Sequence, residues 1–491
     1  MGKSFRKTIV EPAESASIAP HTSGARSVWA YVNRHVTEPW TLAIATHATP
    51  GSDKLSLGGF RIAPDERTEL PSFRPDREAI ELAVGMEEKV CWSRLIRVGG
   101  PFTQRNFDRI VGGKCVLEPT PDARIGCPRD FALLDFGIEC LNDCATTAGI
   151  HVTTGQDLGH GVMSDGKTQS LQYLNAGFPG SVVADTSMPT AAGNYQVLRG
   201  MLRGFDLATS RATVGLIGVG HIGQRILDAL CGDGARMLAV EPRSGKRAEI
   251  AARGVRVWSP EGKSDFLREP MDALVLNAAG GSLDPDTIER CTRNERLVVI
   301  CGSENLVMPD ATRAPLLLRA HKIFAPTEFG GMMGYLTAVE EYLAHVAGAP
   351  FRIETLLDAA QELEPICFAA TKRVRDRDFT ISFEDAIREL SARSASGCRG
   401  RRGESECRRL GRGERIRVDR PRHGMAPFKH HRARTEPAAA ARRARGDTQI
   451  QADESFRARD SSDALGETVE LNVGAAEHVV ERRGRRPLKQ R

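Results

Sequence analysis

The segment Gly218-Val219-Gly220-His221-Ile222-Gly223 places three glycines at the spacing that lets a backbone turn close around a pyrophosphate. Gly218 permits the tight turn and Gly220 admits close approach of the phosphates. Gly223 lets the following helix pack against the preceding strand, and the helix start offers unpaired N–H donors to the anion. Glu241 follows Gly223 by 18 residues, at the end of the apolar run Ala235–Val240, where a carboxylate would accept both ribose hydroxyls of NAD. Its charge opposes a 2′-phosphate, yet Arg243, Lys246 and Arg247 follow closely and would pair with one, so NAD is expected and NADP stays open. His221, inside the turn, reads as a helix-start residue near the pyrophosphate rather than a catalyst.

Two lysines upstream could do proton chemistry. Most of the positive charge is carried by Arg, which cannot replace a residue whose task is to lose or share a proton, so Lys89 and Lys114 are more informative than usual. Lys89 closes Glu78–Lys89, whose apolar positions repeat at helical spacing and put it near a helix end. Lys114 follows Val111-Gly112-Gly113, which reads as a glycine turn delivering a lysine into a strand. On composition alone, a solvated surface charge is the commoner fate of either.

The elements that must hold these groups fall into two halves. Around the glycine turn, strands expected at 212–217, Ala235–Val240, Val255–Trp258, Ala273–Leu276, Leu297–Cys301 and Lys322–Phe324 alternate with helical stretches. That rhythm implies a parallel sheet covered on both faces, a Rossmann-type dinucleotide-binding domain over 187–347. Before it, 26–186 forms an α/β catalytic domain that includes the strand-like Thr41–Thr46, with helices from 348–395 packing back on it and a cleft between the domains. Residues 1–25 read as a flexible N-terminus. The fold alone only holds the cofactor, so the upstream half must supply the chemistry.

Taken in order, Leu57-Gly58-Gly59-Phe60-Arg61, the segments around Lys89 and Lys114, Thr154-Gly155-Gln156-Asp157-Leu158-Gly159, Met188-Pro189-Thr190-Ala191-Ala192-Gly193, the glycine turn, Gly302-Ser303-Glu304-Asn305 and Phe324-Ala325-Pro326 resemble the glutamate/leucine/phenylalanine/valine dehydrogenase family, above all its shorter leucine and phenylalanine dehydrogenase branch. The likeness covers about residues 38 to 390. It implies NAD(P)-dependent, reversible oxidative deamination of an L-amino acid to a 2-oxo acid and ammonia, without a metal. By resemblance, Lys114 is the catalytic lysine and Asp157 the general acid/base. Gly58 and Gly59 bring backbone near the substrate, Lys89 holds its α-carboxylate, and Asn305 sits near both substrate and nicotinamide. Thr190 meets the nicotinamide carboxamide, and Ile222 and Asn277 complete the cofactor-binding set. Family members usually assemble, so a homo-oligomer is expected.

The chain departs from the family in two places. Its lysines are 25 residues apart instead of about a dozen, with Arg94–Arg109 resembling an insertion, a lid or a partner contact. The family's Asn-Ala before a Gly-Gly pair is missing, because Phe324-Ala325-Pro326 runs through Thr327-Glu328-Phe329 into Gly330-Gly331. Leu57, Met86, Met332 and Met333 offer an apolar side-chain pocket, and no basic residue stands out for a glutamate-type carboxylate, so an aliphatic or aromatic amino acid is expected. The competing reading is a catalytically idle relative that binds NAD or an amino acid in a regulatory role.

Composition bounds the rest. The 491 residues carry a net charge of +5, but from Ser396 onward about 24 basic residues face about 14 acidic ones, leaving an acidic body of 395 residues and a basic, Arg-rich tail expected to be disordered. Phe428 and Phe456 are the tail's aromatics, too few for base stacking, so nucleic-acid binding is not expected. The 11 cysteines lack Cys-x-x-Cys spacing, which disfavours a zinc ribbon or disulfide framework. No uncharged apolar run is long enough for a membrane helix and the first residues lack an apolar leader, so the cytoplasm is the default expectation.

Overall fold

The computed structural model describes residues 3–399, all within one contact-defined unit, Met1–Arg420. The tail after residue 399 lies outside the described residues. The helix Phe383–Arg399 runs past the expected boundary at Ser396.

The first half is a six-stranded sheet of β1 (Phe5–Val10), β2 (Trp29–His35), β3 (Thr41–Thr46), β4 (Leu55–Ile62), β5 (Ile110–Glu118) and β6 (His151–Gly155), in the order β1-β2-β3-β5-β4-β6. The pairs β1/β2, β2/β3 and β3/β5 are antiparallel, whereas β4 runs parallel to β5 and β6. Successive residues of a strand face opposite ways. On β5, Cys115 and Leu117 therefore join Phe60 and the helix Asp130–Thr147 in one core layer, while Val116 packs with Ala79, Ile80 and Ala83 of the helix Pro75–Ile96 in another. Lys114 belongs to the second face.

Gly112 and Gly113 lie inside β5 rather than in a turn. They are glycines because neighbours leave no room: a Cβ at Gly112 would lie 2.2 Å from the Glu87 backbone nitrogen on the covering helix, and one at Gly113 2.2 Å from Ser56 Oγ on β4. The helix begins at Pro75, where the missing N–H costs nothing, and runs to Ile96, closed by Arg97 at φ 58°. Lys89 therefore stands well inside it, because the apolar face continues through Val90 and Trp92.

The second half is a parallel sheet of β7 (Thr213–Ile217), β8 (Arg236–Val240), β9 (Arg256–Trp258), β10 (Ala273–Leu276), β11 (Val299–Gly302) and β12 (Ile323–Phe324), ordered β12-β11-β10-β7-β8-β9. Sequence neighbours diverge on either side of β7 and β10, the switch point where doubly wound sheets bind ligands. The structure is thus an α/β, two-sheet architecture with a Rossmann-type half.

Two helical connections join the halves. The helix Met332–Val346 leaves the second sheet and returns to the first half. Its buried Glu340 accepts from the Phe102 N–H (3.0 Å), the Thr103 N–H (2.8 Å) and Thr103 Oγ1 (2.7 Å), capping the short helix Pro101–Asn106 that fills the longer spacing between the lysines. The next residue, Glu341, accepts from the N–H groups of Val183 (3.1 Å) and Ala184 (2.9 Å), in the crossing that leads to the helix Ser187–Gly204. The helix Leu363–Asp376 packs not on the first sheet but on Ser187–Gly204, where Gly200 and Gly204 allow contact so close that added Cβ atoms would lie 2.3 Å from Glu364 O and 2.6 Å from Thr371 Cβ. Phe383–Arg399 does reach the first half, with the Arg388 guanidinium 5.2 Å from the Trp92 ring centre.

Candidate active site

Lys114 and Asp157 are in direct contact, Nζ against Oδ2, with side chains 3% and 8% exposed. Strand geometry makes the pairing. Lys114 projects from β5, and β6, on the far side of β4, ends at Gly155 opposite Gly59, so Asp157 leaves β6 just beyond that point. Gly59 lies between them on β4: a Cβ there would be 2.7 Å from Asp157 Oδ2 and 3.0 Å from Lys114 Nζ. Gly58 serves the sheet instead, since its Cβ would lie 1.8 Å from Gly113 O.

Charges around the pair are buried and opposed. Burial by itself would raise the proton affinity of Asp157, but Arg61 and Lys114 outweigh it and hold the carboxyl well below the usual range. Lys114 is lowered, first by burial and also by Arg61, against the opposite pull of Asp157. Lys89, 5% exposed on the facing helix, is pushed down to about 8 by burial and by Lys114. Its Nζ donates to Asn305 Oδ1 at 2.8 Å, a bond that joins the two halves.

Sequence alone does not mark Arg61. Its Nε donates to Asp157 Oδ1 at 3.3 Å and its Nη1 to Glu78 Oε1 at 2.8 Å, with only 2% of the side chain exposed. The one signal was its place two residues after the Gly58-Gly59 pair. Met86, a turn before Lys89, is buried in the apolar core with Leu55, Leu57 and Val90. A cleft of about 780 Å³ between the halves is lined by Arg67, Glu78, Glu88, Asn305, Glu328 and Glu384, among others. Of the expected catalytic and substrate-binding residues Asn305 is in its lining, whereas Gly58, Gly59, Met86, Lys89, Lys114 and Asp157 are not.

The dinucleotide turn has the form its sequence requires. Gly218 sits at φ 87°, and a Cβ would meet the Asn277 backbone at 2.7 Å. Gly223 packs so that its Cβ would lie 2.1 Å from Gly218 O, whereas Gly220 faces open space at the N-cap of the helix His221–Gly232. His221 is exposed and Ile222 half-buried. Glu241 ends β8, its carboxylate accepting from the Val219 N–H at 3.0 Å and from Arg243 Nε at 2.7 Å. Thr190 is buried on Ser187–Gly204, one turn before Asn194, whose Nδ2 donates to Asn277 Oδ1 at 3.1 Å. Ser303 Oγ donates to the same oxygen at 2.6 Å, and the buried Asn277 Nδ2 is left without a partner. A buried donor without an acceptor is costly. The open Gly220 backbone and this orphaned amide fit a dinucleotide.

The fold is thus a Rossmann-type α/β half joined to a second α/β half that carries the Lys114–Asp157 pair. No family model matches the sequence. The valine dehydrogenases of Streptomyces coelicolor and Streptomyces albus are 29% and 27% identical to it over 124 residues, 25% of this chain. The chain matches 33% of the length of each of those relatives. A hetero-hexameric glutamate dehydrogenase from Thermus thermophilus, in a Leu-bound form, shares the fold with a TM-score of 0.51 at 14% identity, over 81% of this chain and 90% of that one. Another glutamate dehydrogenase gives 0.51 at 12% identity, over 73% and 82%. The sequence likeness is thus partial and to amino-acid dehydrogenases, and the likeness to the solved structures is one of fold. Among the described residues, no helix is long and apolar enough to cross a membrane.

Proposed function

We propose that the protein catalyses reversible oxidative deamination of an L-amino acid, aliphatic or aromatic, to the 2-oxo acid and ammonia with NAD as cofactor. The observation that carries this reading is the buried Lys114–Asp157 contact facing Lys89 and Asn305.

In this reading Lys89 in its charged form binds the α-carboxylate and Asn305 orients it. A bound nicotinamide supplies the hydride acceptor. The substrate ammonium first gives a proton to Lys114, whose proton affinity is lowered by burial and by Arg61. Lys114 hands that proton through Asp157 to solvent, and once Cα is at the iminium level the neutral Lys114 takes a proton from the attacking water as the C–O bond forms. That proton passes through Asp157 to the carbinolamine nitrogen, and as Lys114 takes the hydroxyl proton the C–N bond breaks and ammonia leaves. Asp157, held ionised, keeps a proton only briefly and so passes it on readily. Glu241 supports NAD over NADP by its charge, while Arg243 partly neutralises it.

The test is a panel of L-amino acids with NAD and with NADP at alkaline pH, followed by absorbance of the reduced nucleotide. Turnover with one substrate class, lost in Lys114→Ala, supports the reading; equal activity in that variant overturns it. A non-catalytic, ligand-binding role draws on Glu328, whose carboxyl acts on Lys89 where the family has Asn-Ala. It predicts nucleotide binding with no turnover across the panel.

A further inference from the structure

Among the described residues Arg61 is the largest fully buried side chain, and its two carboxylate partners lie on different elements. Glu78 is itself shared: its Oε2 accepts from Arg67 Nη2 at 2.7 Å and Nε at 3.0 Å, and Arg67 lines the cleft. Charges thus alternate inward from the cleft along Arg67, Glu78, Arg61, Asp157 and Lys114.

This chain of charges is a poor device for stability. Buried ion pairs lose much of their attraction to desolvation, and apolar residues of similar volume usually do as well or better. Nor does Arg61 have to hold Asp157 in place. The loop after Asp157 is fixed to β4 by the Ile62 N–H donating to Leu158 O at 3.1 Å and by His160 Nε2 against Phe60 O at 2.7 Å. At Gly159 the backbone runs so close that a Cβ would lie 2.3 Å from Ile62 O. What Arg61 adds to the loop is charge.

We infer that Arg61 and Glu78 are positioning residues whose opposed charges set the pH at which the Lys114–Asp157 pair exchanges its proton. Arg61 repels a proton on Lys114 and stabilises the Asp157 carboxylate, while Glu78 draws part of the guanidinium's charge away. The inference rests on the dehydrogenase reading of Lys114. The other groups facing the pair are Lys89 on the covering helix, His160 in the Asp157 loop and Cys115 on β5. These stay constant in the comparison below.

The experiment measures the pH profile of amino-acid oxidation in full-length Arg61→Met, Glu78→Gln, their double variant and Arg61→Lys, each checked for a cooperative melt. Removing the cation favours a proton on Lys114, so the rising limb moves to higher pH in Arg61→Met. Removing the anion moves it to lower pH in Glu78→Gln, each by about one unit. The double variant, with both charges gone, and Arg61→Lys, with the cation restored, return toward the wild-type midpoint. A merely structural role predicts damage that accumulates in the double variant with no opposed movement, and that result overturns the inference. So does a midpoint unmoved in folded Glu78→Gln. A second readout needs no turnover: titration of the Lys114 resonance in 13Cε-lysine-labelled protein, assigned by its loss in Lys114→Ala. Opposed titration shifts with an inactive panel would refute the dehydrogenase reading alone; activity without opposed shifts would refute this inference alone.

Discussion

Gly59 and Asp157 approach so closely that one added methyl at position 59 would lie 2.7 Å from the Asp157 carboxylate. The neighbouring Gly58 instead abuts backbone, with a Cβ placed 1.8 Å from Gly113 O. Gly59→Ala is therefore expected to fold and lose kcat by about 10²-fold, the order of a misplaced general acid/base. Gly58→Ala is expected to lower Tm sharply, because strands β4 and β5 cannot part without breaking the sheet. Melting curves and steady-state kinetics of the two variants separate these outcomes.

Asp157→Asn and Lys114→Ala should each lower kcat by about 10²- to 10⁴-fold while leaving nucleotide binding intact. Fluorescence titration with reduced nucleotide checks the second half. Loss of nucleotide binding in either would mean that the damage reaches beyond the proton chemistry.

Lys89 gives a pH dependence with a definite sign. Its affinity for a proton is pushed down to about 8, so in the free enzyme the charge that binds a carboxylate is present below that pH and is lost above it. Lys114 works in the opposite sense, gaining activity as it loses its proton. KM for the amino acid should therefore rise above about pH 8, with no matching fall in kcat. In Lys89→Arg, which keeps its charge, KM should stay flat over that range, and initial-rate measurements at several pH values decide the point.

In the dinucleotide turn, Gly220 has no neighbour within 4 Å of an added Cβ, but Gly223 has Gly218 O at 2.1 Å. Gly220→Ala should melt like the unaltered protein in the absence of nucleotide yet bind it about tenfold or more weakly, since the methyl occupies the approach of the phosphates. Gly223→Ala should be destabilised even without nucleotide. Calorimetry of binding and unfolding distinguishes them.

Glu340→Ala would strip three donors of their shared acceptor in the Pro101–Asn106 segment, at a cost of about 1–3 kcal/mol. Limited trypsin digestion should then cut sooner at Arg97, Arg105 or Arg109.

Local features were legible in the sequence where the physics is local. The glycine turn, its flanking strand and helix, and the carboxylate at Glu241 all lie within one βαβ unit, and all the expected strands of the second sheet are found. Features that depend on tertiary neighbours were not. Gly112-Gly113 has the composition of a turn, but the glycines answer to a helix packed on a strand. The apolar repeat of Glu78–Lys89 puts Lys89 near a helix end, whereas the helix runs on to Ile96 and its buried face through Val90 and Trp92. Arg61 carries no sequence signal for partners 17 and 96 residues away, because both are brought to it by folding alone.

Glu340 and Glu341 are consecutive, so their side chains leave one helix about 100° apart. Glu340 holds the Pro101–Asn106 segment of the first half, and Glu341 holds the Val183–Ala184 crossing. A small roll of that helix about its own axis would disturb both sets of bonds at once, so the helix is pinned in rotation where it returns to the first half.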